Sequence, residues 1–139
     1  MRPASIIQFE RLYLAAVVAG LIGQVLGWDA VTAAVASQPG AARLGAGFVV
    51  AGLAVVYAAM LALWYFAARR HSVVAKWILA IWFVLSAVTT ALSIYHNGLH
   101  ITLAAVVGWV SFLLLAWSVS YLFKPDAEAW FAGTGASPE

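Results

Sequence analysis

The chain has 139 residues, of which 65% are hydrophobic and only 9% charged, with a formal net charge of +2 and no cysteine. Its mean hydropathy is +0.99, and a water-soluble domain carries about a quarter charged residues, so this surface suits lipid rather than water. The length fits one domain, the small charge argues against a nucleic-acid partner, and the lack of cysteine excludes disulfides, thiolate metal sites and thiol redox chemistry.

Four apolar runs, near Leu12–Trp28, Leu44–Phe66, Val73–Tyr95 and Leu99–Phe123, each approach the ~20 residues that cross a hydrocarbon core. They are continuous rather than alternating, and too few to close a barrel, so helices are expected. The fold class is therefore an all-α integral membrane protein. Its four transmembrane helices, near 6–28, 44–67, 73–95 and 99–123, form an up-down-up-down bundle within a single domain.

The first helix is expected to begin at a capping box, Ser5-Ile6-Ile7-Gln8, before the membrane and in a turn that carries Glu10 and Arg11. Leu12–Leu26 followed by Ala34-Val35-Ala36 has the outline of a signal peptide. The acidic Glu10 does not suit a basic leading region, so the segment is expected to be retained. Residues 30–37 fit a short surface helix capped by Asp29, and Gln38-Pro39-Gly40 is a turn before the second run. Arg69-Arg70-His71-Ser72 separates the second and third runs, with Ser72 as the expected N-cap. Asn97-Gly98 ends the third run. Residues 124–139 form a tail with one or two interfacial turns anchored by Trp130 and Phe131, then a frayed end.

Arg2, Arg11, Arg69, Arg70, Lys76 and Lys124 fall on one side of such a bundle and only Arg43 on the other. The positive-inside rule then places both termini in the cytoplasm of a bacterial inner membrane. Trp64, Tyr65, Trp77, Trp117 and Tyr121 fall at one aromatic belt, with Trp28 and Tyr95 at the other. Arg69, Arg70, His71 and Lys76 make a basic corner that attracts anionic lipid at about 1 kcal/mol per charge.

His96 and His100 are four residues apart, the spacing that chelates metal on an unbroken helix. Asn97-Gly98 lies between them, so they read as a turn, with His100 in the first turn of the next helix. No third ligand is close in sequence, although Asp29 can approach through folding. No metal and no cofactor is expected. No histidine lies within a span to hold a haem, and no ionisable residue sits at mid-bilayer to relay protons. A small multidrug exporter needs a buried glutamate in its first helix, and Ala15–Gly27 contains none. No nucleophile is paired with a base, so an enzyme is not expected.

Two features of the interior are candidates for function. Ala15, Ala19, Gly23 and Gly27 recur every four residues on the first helix, widened by Ala16 and Gly20, and Ala54, Ala58 and Ala62 form a similar row on the second. Small residues let backbones approach closely, either within the monomer or as a seam for another subunit or a second copy. Ser86, Thr89, Thr90 and Ser93 share a face of the third helix above Trp82, and Gln24 and Thr102 fall at comparable depth. Together these residues can line an outward-facing pocket, or their hydroxyls can bond back to carbonyls of their own helix.

The opening Arg2-Pro3-Ala4-Ser5-Ile6, the run Leu12-Tyr13-Leu14 with Gly20-Leu21-Ile22, and Ala68-Arg69-Arg70-His71-Ser72 with Ala75-Lys76-Trp77 carry a resemblance. Tyr121-Leu122-Phe123-Lys124-Pro125 with Trp130-Phe131 extends it to the end of the chain. The chain resembles a loose group of small, uncharacterised four-transmembrane-helix bacterial inner-membrane proteins. The resemblance implies location and architecture and transfers no functional residue. The polar signature of the membrane glutathione enzymes and the cysteines of quinone–disulfide enzymes are both missing. The reading expected from sequence is a non-catalytic accessory or assembly subunit acting through small-residue helix packing among membrane lipids and other subunits. The alternative is a binding or transport module for a neutral or lipid-like molecule.

Overall fold

The computed structural model describes residues 2–38, 45–99 and 101–132. Within them the chain forms six helices: α1 (Ala4–Leu26), α2 (Trp28–Ala36), α3 (Gly45–Arg69), α4 (Val73–Asn97), α5 (Leu103–Tyr121) and α6 (Pro125–Phe131). No strand occurs among the described residues. Four of them, α1, α3, α4 and α5, are long and apolar enough to cross a membrane. At 1.5 Å per residue the 25 residues of α3 or α4 reach about 37 Å, and the 19 of α5 about 28 Å, against a hydrocarbon core of ~30 Å. Val55, Val74, Ile81, Val84, Leu103 and Leu113 point outward, which only an apolar solvent tolerates on this scale. This is a multi-pass membrane protein.

The breaks between helices have local causes, some differing from the sequence reading. Ser72 caps α4, its hydroxyl accepting from Ala75 N–H at 3.2 Å. Gly98, at φ +76, ends α4 and donates its N–H to Ile94 O at 2.9 Å, so Asn97-Gly98 does terminate this helix. The capping box at Ser5 does not form. Pro3 occupies the N-cap position and offers no side-chain cap, and Ser5 already lies inside α1. The short surface helix is present but starts at Trp28, directly after Gly27, with Asp29 inside its first turn instead of capping it. The fourth long helix starts at Leu103 rather than 99, because the Thr102 hydroxyl accepts from Ala105 N–H at 3.1 Å and fixes the start there. Pro39, Gly40, Arg43, His100 and residues 133–139 lie outside the described residues.

The core gathers at one end of the molecule. Ile6, Phe9, Tyr13 and Val17 of α1 pack with Ala67 and Ala68 of α3, Ala75 and Leu79 of α4, Leu122 after α5, and Ala127 of α6. The Tyr13 hydroxyl donates to Met60 O at 3.0 Å, which ties the first half of α1 to the second half of α3. Glu10 bridges Arg2 at 2.5 Å and Arg69 at 3.0 Å across the same end. Outside this cluster the buried hydrophobic residues among those described are Ala16, Val49 and Val119.

The described part of the tail forms a short helix, α6, whose turns are held by Trp130 and Phe131. Pro at the first position of α6 suits its fixed φ to a helix start. The helix folds against the bundle with Ala127 fully buried and Trp130 and Phe131 against the core. Lys76 also departs from the expected basic corner. It is only 7% exposed, its ammonium lying 4.4 Å from the Phe123 ring centre and 5.3 Å from that of Phe131. Two aromatic faces substitute for the lipid head groups it was expected to meet.

Candidate functional site

Three places hold most of the residues singled out from sequence: the small-residue seam of α1, the alanine row of α3, and a cleft between α4 and α5 at the end away from the core. Of all helix pairs, α1 and α5 pack most extensively, and the seam explains why. A Cβ on Gly23 would stand 3.6 Å from both Ala104 O and Gly108 N. One on Gly27 would stand 3.4 Å from the Ala104 Cβ, and one on Gly20 3.2 Å from the Ser111 Oγ. The Ser111 hydroxyl donates to Ala16 O at 2.8 Å, a bond possible only because nothing larger than alanine separates the two backbones.

The expected row therefore splits. Ala16, Gly20, Gly23 and Gly27 face α5, Ala19 is half-buried, and Ala15 points outward. On α3, Ala54, Ala58 and Ala62 are all exposed. At 100° per residue Gly47 and Ala51 share their face; both are exposed, and nothing lies within 4 Å of a Cβ built on Gly47.

The cleft encloses about 560 Å³, within the range of small-molecule sites. Thr89, Thr90 and Ser93 of α4 supply hydroxyls on one wall and Ser111 of α5 on the other. Trp109, Phe112, Ile94, Leu99 and Leu115 supply apolar surface, and Gly98 and Gly108 leave room. Phe112 is held in place by Phe83, whose ring stacks on it at 5.3 Å, and by Trp109 edge-on at 6.5 Å.

Only part of the expected pocket set meets here. Thr89, Thr90 and Ser93 line the cleft; Gln24, Trp82, Ser86 and Thr102 do not. Gln24 is half-buried on α1. Ser86 donates to Trp82 O at 2.8 Å and Thr89 to Ser86 O at 3.0 Å, the back-bonding open to hydroxyls in an apolar helix. Thr102 is spent as the cap of α5. Ser111, Trp109 and Gly108 were missed from sequence. The later start of α5 sets them beside Thr90, and Ser111, a lone hydroxyl in an apolar run, was the available signal.

The histidine and the acid singled out at the outer turns do not line these walls. His96 and Asp29 are exposed, and the His96 ring meets Tyr95 edge-on at 5.3 Å. Among the described residues no three histidine, cysteine or acidic side chains come together to hold a metal. Comparison of the chain with protein-family models, with curated proteins and with solved structures finds no match.

Proposed function

We propose that the protein is a non-catalytic subunit of the bacterial inner membrane, an accessory or assembly component that packs against other membrane helices through α3. One observation carries this reading. α3 is held to its own chain by one face of its second half, through Tyr57, Met60, Leu63, Trp64, Ala67 and Ala68, while Ala54, Ala58 and Ala62 stand in an exposed row. In lipid there is no hydrophobic gain from covering such a face, so a second helix is favoured there by close backbone approach and dispersion. Gly23 and Gly27, the other half of the expected interface, are already committed to α5, so the partner surface is α3 alone.

The charge distribution supports the location. Arg2, Arg69, Arg70 and Lys124 lie at the end that holds the described termini, the arrangement of a protein whose termini are cytoplasmic. Arg70 and Lys124 are exposed there and attract anionic lipid at about 1 kcal/mol each.

The test is the mass of the complex extracted from native membranes in mild detergent. Ala54→Leu with Ala58→Leu places bulk only on the exposed face, so folding is retained and the complex is expected to fall to the single chain. A variant complex of unchanged mass overturns the reading.

A further inference from the structure

We propose that the cleft between α4 and α5 binds a neutral, single-chain amphiphile whose head group donates hydrogen bonds, with its tail in the apolar groove beyond Trp109. The site is on a different face from the α3 row and stands or falls separately from the partner reading.

The state of the hydroxyls sets the head-group chemistry. Thr89 gives its proton to Ser86 O at 3.0 Å, and Ser111 gives its own to Ala16 O at 2.8 Å. A hydroxyl has one proton and two lone pairs, so both oxygens, on residues that line the cleft, keep lone pairs to accept while their protons are used within the protein. A head group that donates is matched by these two oxygens.

Depth sharpens this preference. Thr89 lies eight residues before the end of α4 at Asn97, about 12 Å along the axis. At that depth in a bilayer a head-group donor finds little water, and leaving it unpaired is costly. None of the described lining residues is ionisable, so a charged head would enter without a counter-charge, which selects a neutral one.

The apolar part of the ligand also has a place. A groove of about 500 Å³ continues from the cleft, sharing Ile94, Leu99, Ala105 and Trp109 with it and adding Ile101 and Val106. A molecule with its head among the hydroxyls passes the edge of Trp109 and lays its chain along this groove.

The probe for the test is a 1-monoacylglycerol with a diazirine in its acyl chain, added to the purified full chain in nanodiscs and photolysed, with labelled peptides mapped by mass spectrometry. Label is expected on peptides spanning residues 94–109 and is lost with excess unlabelled monoacylglycerol. A Cβ on Gly108 meets nothing within 4 Å, so Gly108→Leu enters open space and is expected to abolish the label, with thermal unfolding of the variant checked against the parent. Thr89→Val with Thr90→Val keeps the shape and removes two acceptors. It is expected to weaken competition by monoacylglycerol about fivefold or more, while competition by the matched donor-free alkane is unchanged. Label spread evenly over the exposed faces of α3 and α4, or undiminished in Gly108→Leu, overturns the site. Equal competition by monoacylglycerol in the Thr89→Val/Thr90→Val protein and the parent overturns the donor preference.

Discussion

The carboxylate of Asp126, in the first turn of α6, accepts the backbone N–H of Ser5 at 3.1 Å and so caps the first turn of α1 from 121 residues away. The first turn of any helix leaves N–H groups without partners and carries partial positive charge. Pro3 cannot satisfy them with a side chain, and Asp126 supplies both an acceptor and a negative charge. The docking of α6 and the start of α1 are thus one structural event.

That coupling predicts a pH dependence. Ser5 holds the Asp126 carboxyl below its ordinary value of 3.8, through its side chain first and then its N–H. The Ser5 hydroxyl is itself buried without a hydrogen-bond partner, so the backbone N–H at 3.1 Å is the hydrogen bond that joins Ser5 to this carboxylate. A carboxylate with a lowered folded-state value stabilises the fold above the unfolded value and loses that contribution as pH falls through the folded one. The α6 contact is therefore expected to persist from neutral pH to the ordinary aspartate range and to weaken below it. Asp126→Asn is expected to remove this acid-side change and to raise amide exchange at Ser5 and Ile6 at neutral pH. Hydrogen exchange in detergent across that range reads both.

Glu10 makes a second tie at the same end, and a weaker one. Its carboxylate meets Arg2 at 2.5 Å and Arg69 at 3.0 Å, with side chains 34% and 46% exposed for the two arginines. Half-exposed pairs contribute about 1 kcal/mol or less and are screened by salt. Glu10→Gln is expected to lower stability by about that amount at low ionic strength, with the difference shrinking as salt is raised. A loss that is large and independent of salt in detergent unfolding measurements contradicts this reading.

These ties explain which parts of the fold were legible in the sequence. Span number, the Ser72 cap and the stop at Asn97-Gly98 were readable because hydropathy and capping are local patterns. The Asp126–Ser5 contact leaves no local trace, and the capping box at Ser5 was a false local signal with the correct residue in the wrong role. Lys76 read as a surface charge because nothing near it in sequence announces that Phe123 and Phe131 close over it. At the cleft, Thr89, Thr90 and Ser93 were legible as one helix face. Their opposite wall depended on where α5 starts, and four residues of helix is more than a full turn.

Lys76 gives a test of the aromatic enclosure. The residue is buried while its ammonium lies over two rings, so hydrophobic burial and cation–π attraction are separable. Lys76→Met keeps the stem and removes the charge; Phe131→Leu keeps apolar bulk and removes one ring. In a double-mutant cycle the pair is expected to couple by about 0.5–2 kcal/mol. A coupling near zero would mean that Lys76 is held by its stem alone.

The α1–α5 seam makes the most direct prediction about what the small residues are for. A Cβ on Gly23 has only ordinary contacts, at 3.6 Å or more, with Ala104, Gly108 and Val107, so Gly23→Ala is expected to fall within about 0.5 kcal/mol of the parent. Leucine at the same place drives its branch into the backbone of α5, where neither Ala104 O nor Gly108 N can rotate away, and overpacking of this kind costs about 1–3 kcal/mol. The Ser111 hydroxyl, 2.8 Å from Ala16 O one to two turns away, would then separate from its acceptor and add to the loss. A seam used between subunits would respond differently: Gly23→Leu would leave the isolated chain as stable as its parent and change only the mass of the complex. Thermal unfolding of the purified single chain separates the two, and a drop with leucine but not alanine is the outcome expected from α5 lying where it does.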